Sequence, residues 1–122
     1  MQMRNLIKEK TAANGYAVGA FVASSSATNC EILAMNGYDF VIIDCEHAQT
    51  DSETAVNMFR ACEMYGMAPM VRVYNPYDGP MMSRLLDVGA HGIMVPLVND
   101  APQAKNIVDN TKYAPVGRRG AN

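Results

Sequence analysis

Tryptophan is absent and phenylalanine occurs only 3 times in 122 residues, so any core must be filled mainly by aliphatic side chains and by the 10 methionines, whose flexible thioethers suit irregular gaps. Cysteine is scarce: Cys30, Cys45 and Cys62 are odd in number and show no CxxC spacing. That argues against a disulfide framework and for a reducing compartment. No apolar run approaches the roughly 18–20 residues a membrane helix needs; Phe40–Ile43 is representative. The charged first ten residues are not followed by an apolar signal segment, so the cytoplasm is the expected location. No basic run stands out and the formal net charge is -2, which excludes nucleic acid as an expected partner. No GxGxxG or GxxxxGK motif follows any strand candidate, which weakens a nucleotide-binding reading.

What is present is an ordinary globular composition, 49% apolar and 18% charged, read as one domain over residues 1–122. Short apolar runs alternate with helical patterns. Met3 to Asn14 reads as a helix stopped by Gly15. Ala17 to Ala23 reads as a strand, followed by possible capping residues Ser24, Ser25 and Ser26 and a helix over Asn29 to Asn36. Tyr38 to Asp44, YDFVIID, is the clearest strand, apolar on both faces as buried parallel strands are. A helix over Glu53 to Tyr65, a strand over Ala68 to Tyr74, a helix over Tyr77 to Val88, a strand over Gly92 to Leu97 and a helix over Asp100 to Asn110 complete about four strand–helix units. Such alternation implies a parallel sheet covered by helices. An open doubly wound sheet and half of a (β/α)₈ TIM barrel both fit the pattern.

Chemistry in parallel α/β folds collects at the carboxyl ends of strands. After the second strand come Asp44, Glu46 and His47; Arg72 lies near the end of the third. Asp44 alone could be a turn cap, His47 an ordinary loop histidine, and Arg72 a structural partner of either acid. Together, carboxylates, an imidazole and a guanidinium converging at one end of a sheet are costly to keep for packing alone. A zinc site using Cys45 and His47, which would share a face if the strand continued, lacks a third ligand, since Cys30 and Cys62 both read as helical. His91 precedes the fourth strand, at its amino end, and reads as structural.

The segments YDFVIIDCEHAQTD, PMVRV, RLLDVGAHGIMVPLVN and YAPVGRRG, in this order and spacing, resemble the HpcH/HpaI aldolase family over essentially the whole chain. The resemblance implies a TIM barrel, of which these residues supply about the first four β/α units, assembled as a homo-oligomer, usually a hexamer. It implies a class II aldolase that cleaves a 4-hydroxy-2-oxo acid to pyruvate and an aldehyde with a divalent metal, Mg²⁺ or Mn²⁺, with Co²⁺ or Zn²⁺ as alternatives. Small-molecule oxo acids and aldehydes are then the partners, with neither nucleic acid nor membrane. Carried over, His47 is the general base, Arg72 binds the keto acid, Asp44 and Glu46 support the site, and Asp87 matches an aspartate linked to the basicity of the histidine, although its route to His47 is not evident from the sequence. The family's metal ligands, a Glu and an Asp on later strands, match no residue here and are expected downstream of Asn122. Four units of eight would leave open sheet edges, so the expectation is a piece of a longer barrel or a half-barrel that pairs with itself; without the metal ligands, these residues alone are expected to be inactive or nearly so. A non-catalytic assembly module and a citryl-type lyase of the same superfamily are the rival readings.

Overall fold

The computed structural model describes residues 4–121. Its elements run α1 (Leu6–Asn14), β1 (Gly19–Val22), α2 (Ala27–Met35), β2 (Phe40–Asp44), α3 (Ser52–Met64), β3 (Ala68–Arg72), α4 (Gly79–Asp87), β4 (Gly92–Met94) and α5 (Ala101–Thr111). The expected start of the first helix at Met3 lies outside the described residues. The strands form a 4-stranded sheet in the order β1-β2-β3-β4, and every neighbouring pair is parallel. This order decides between the two architectures. A doubly wound sheet reverses its strand order at a switch point, whereas here each strand adds to the same side of the last, as in an arc of a barrel.

Why these residues make these elements is visible locally. Asp51, Asp78 and Asp100 each cap the helix that follows by accepting a backbone N–H three residues on, from Thr54, Met81 and Gln103, which supplies a partner to one of the unpaired amides of a first turn. The serine run after β1 does not cap α2: Ser26 makes no side-chain cap bond, Ser25 Oγ lies 2.9 Å from Thr50 Oγ1, and Ser24 Oγ accepts from Asn29 Nδ2. Gly15 ends α1 in the left-handed region at φ 81, a conformation costly for residues with a Cβ.

Several expected elements are shorter in the structure, two of them for evident backbone reasons. The helix expected from Tyr77 begins at Gly79, because Asp78 is its cap and Pro80 occupies its first turn. The strand expected to run to Leu97 stops at Met94: Pro96 has no N–H for the ladder, and Leu97 sits at φ 58, outside extended geometry.

Packing follows the parity of the strands. Val41, Ile43 and Cys45, with Val71 and Val73, face the helices and join Ala55, Met58, Phe59 and Cys62 of α3 and Met82 and Leu85 of α4 in one buried cluster. The α3 residues recur at helical spacing, so one stripe of the helix is buried. The alternate residues, Phe40, Ile42 and Asp44 on β2 and Met70 and Arg72 on β3, face the concave side. On that side Phe21 of β1 is 55% exposed, while Ile42 and Asp44 are buried. No helix among the described residues is long and apolar enough to cross a membrane.

Candidate active site

Register puts Asp44 directly opposite Arg72 on the neighbouring strand. Both are the last residues of their strands, and both point to the concave side. Arg72 Nε donates to Asp44 Oδ1 at 3.0 Å and Arg72 Nη2 donates to Oδ2 at 2.7 Å, the bidentate fork that suits guanidinium and carboxylate geometry. Asp44 Oδ1 also accepts the backbone N–H groups of Glu46 at 2.9 Å and His47 at 3.3 Å. One buried carboxylate therefore aims the arginine and folds the turn that carries the next two polar residues. The Arg72 guanidinium and these N–H groups hold the Asp44 carboxyl below its ordinary range against the opposing effect of burial, and Asp44 in turn raises Arg72. The pair is ionised.

Glu46 stands between the remaining two groups. Its Oε2 lies 3.1 Å from Arg72 Nη1, and its Oε1 lies 3.6 Å from His47 Nε2. The second distance is too long for a hydrogen bond. The imidazole is largely free, its side chain 71% exposed. Asp44, Glu46, His47 and Arg72 thus converge on one rim, as expected from the sequence.

Asp87 is not among them. It ends α4, which runs back toward the amino ends of the strands, and its carboxylate is paired with Arg119. Arg119 also stacks on Tyr113 at 4.8 Å. The antiparallel course of helix against strand puts Asp87 at the end of the arc away from His47. His91 is at that end as well, its backbone N–H bound to Pro69 O.

The cysteines do not join His47. The strand ends at Asp44, so alternation does not carry on to His47; Cys45 is buried while His47 is exposed. Burial, with Asp44 nearby, pushes the Cys45 thiol up to about 11. Cys30 and Cys62, on α2 and α3, lie in the core. Among the described residues no three His, Cys, Asp or Glu side chains are placed to hold a metal ion. The acids on the rim do not fit that task unaided, since Arg72 and two backbone amides take the oxygens of Asp44 and Arg72 engages Glu46.

Phe21 carries no chemical signal in the sequence, yet its ring lies 5.1 Å from the Arg72 guanidinium carbon and covers one face of it. Strand parity is the signal that could have found it: Phe21 is one residue before the buried Val22, on the face shared with Asp44 and Arg72.

The sequence model of the HpcH/HpaI aldolase/citrate lyase family matches residues 17–122. The chain is 33% identical over 120 residues to the 2-keto-3-deoxy-L-rhamnonate aldolase of Escherichia coli K12, covering 97% of this chain and 44% of that protein. The HpcH/HpaI aldolase of Desulfitobacterium hafniense DCB-2 superposes with a TM-score of 0.88 at 31% identity, over 96% of this chain and 45% of that one. The citrate synthase SbnG superposes at 0.86 with 36% identity, over 97% and 48%. The chain spans just under half the length of these relatives. With its four-stranded parallel arc and a family match over most of its length, the chain belongs to the HpcH/HpaI aldolase/citrate lyase family.

Proposed function

We propose that these residues carry the base and the anion-binding arginine of a class II aldolase that cleaves a 4-hydroxy-2-oxo acid to pyruvate and an aldehyde. The observation that carries it is Glu46 in contact with both Arg72 and His47, with Arg72 fixed from behind by Asp44. His47 takes the proton of the C4 hydroxyl. The O–H electron pair becomes the aldehyde C=O, the C3–C4 bond breaks, and its pair moves into the enolate of pyruvate. The same proton, or one from water, then goes to C3. Arg72 binds the acid and offsets charge growing on the enolate oxygen, the point where preorganised donors matter most. A neutral imidazole suits the base, since its ordinary pKa is near the working pH.

The relatives support this reading through the rhamnonate aldolase, and a divalent cation belongs to it for the whole protein. The rim carries two carboxylates against one guanidinium, so an oxo-acid anion would add to an already negative site, and further positive charge favours its binding. The ligands of that cation come from groups other than Asp44 and Glu46. Cytoplasmic location and a homo-oligomeric assembly also belong to the proposal. The 122 residues alone release pyruvate slowly or not at all, because no group among the described residues is placed to hold the divalent cation that this reading needs.

A second reading is favoured by the likeness to SbnG: the same rim would serve citrate-type carbon–carbon chemistry, in which an oxo-acid or acyl enolate is again the charge to be stabilised. Pyruvate release from a 4-hydroxy-2-oxo acid by the whole protein with added Mn²⁺ separates the two. Turnover supports the aldolase; no cleavage, with citrate-type condensation instead, overturns it.

A further inference from the structure

Arg72 has few ways left to meet a substrate. Its Nε–H and one N–H of Nη2 are spent on Asp44, and the Phe21 ring covers one face of the guanidinium. The edge at Nη1 remains, and Glu46 occupies it. The two acids hold the arginine differently. Asp44 is buried, its side chain 5% exposed, and accepts four donated hydrogen bonds. Glu46, its side chain 12% exposed, makes one charge contact, at 3.1 Å to Arg72, and comes within 3.6 Å of His47, through a side chain with three rotatable bonds. A single charge contact is easier to exchange than the Asp44 fork, whose loss would leave a guanidinium and two backbone amides without their acceptor.

We infer that Glu46 is a positioning residue that holds the substrate's place on Arg72 and passes to His47 when the substrate arrives. The oxo acid's carboxylate or oxo oxygen takes Nη1; Glu46, displaced, closes the 3.6 Å gap and accepts a hydrogen bond from the imidazole. The base is then oriented, and its positive charge offset, only while an acid substrate is bound. This rests on the aldolase reading of the site. It predicts opposing effects in one variant: Glu46 competes with substrate for Arg72 and assists His47 afterwards.

The test is Glu46→Gln in the full-length protein, assayed for pyruvate release from 4-hydroxy-2-oxopentanoate. The expected result is a KM lower by roughly threefold to tenfold, as a charged competitor is removed, together with a kcat lower by about tenfold or more, as the base loses its partner. A merely structural role would raise KM and lower kcat together, and that result overturns the inference, as does an unchanged KM. A crystal structure of the unaltered protein with pyruvate reads the same point without a variant: Glu46 off Nη1 and within hydrogen-bond distance of His47 supports the exchange, while Glu46 still on Nη1 refutes it. If the unaltered protein binds no pyruvate and cleaves no 4-hydroxy-2-oxo acid, the aldolase reading itself fails, and the exchange falls with it.

Discussion

Arg72 and Asp44 face each other across the β2–β3 register and are joined by two parallel bonds of 2.7 and 3.0 Å. Parallel strands with matched ends bring an acid and a base to one rim only if both occupy inward-facing positions. IID and MVR supply that parity, with Ile43 and Val71 turned the other way into the core.

Removing the acid from this pair should be expensive. Asp44→Ala leaves a guanidinium without its fork and two turn amides without an acceptor. Loss of one member of a largely buried pair costs about 3 kcal/mol. Urea denaturation should show a lower midpoint with an unchanged slope; a midpoint within error of the unaltered protein would show that the pair does not stabilise the fold.

The same pair sets an acid limb. The folded Asp44 carboxyl lies below its ordinary value, chiefly through Arg72. A depressed folded pKa stabilises above the unfolded value, about 3.9, and that stabilisation is lost as pH falls through the folded value. The stability gap between the unaltered protein and Asp44→Asn should therefore be widest near pH 7 and narrow below about pH 4. Urea midpoints at a series of pH values check this. A constant gap down to acid pH would mean that Asp44 acts through packing.

Thiol chemistry offers an independent check of the core. Cys30, Cys45 and Cys62 are all free and buried, and Cys45 titrates near 11 because of burial. A thiol reagent at pH 8 should react slowly with the native protein and at all three positions in urea. Because the folded Cys45 value lies above its unfolded one, about 8.5, its contribution to stability is present below that pH and is lost as pH rises toward the folded value. Fast labelling of Cys45 in the native state would contradict the assigned strand parity.

Much of this was legible from residue order. YDFVIID and APMVRV read as buried strands because their apolar runs are continuous, and DCEH followed by VRV gave the rim because strand ends collect polar groups. What was not legible depended on three-dimensional neighbours. Phe21 looks like any strand aromatic until β1 curls its ring over Arg72. Asp87 sits in a conspicuous motif, yet the return direction of α4 carries it to Arg119 at the other end. The short β4 shows how Pro96 and a left-handed Leu97 override an apolar run that otherwise reads as strand.

Arginine at position 72 should not be replaceable by lysine. An ammonium cannot make the fork to Asp44 and still present a second edge. In Arg72→Lys, KM for a 4-hydroxy-2-oxo acid should rise by about tenfold or more while the fold, read by circular dichroism, is kept. An unchanged KM would move the anion site elsewhere.

Whether His47 is the base is read by pyruvate release from the full-length protein and its His47→Ala variant under saturating substrate. Loss of a positioned base should lower kcat by about 100-fold or more, with pyruvate still bound through Arg72. A variant that keeps more than a tenth of the original kcat would contradict the account.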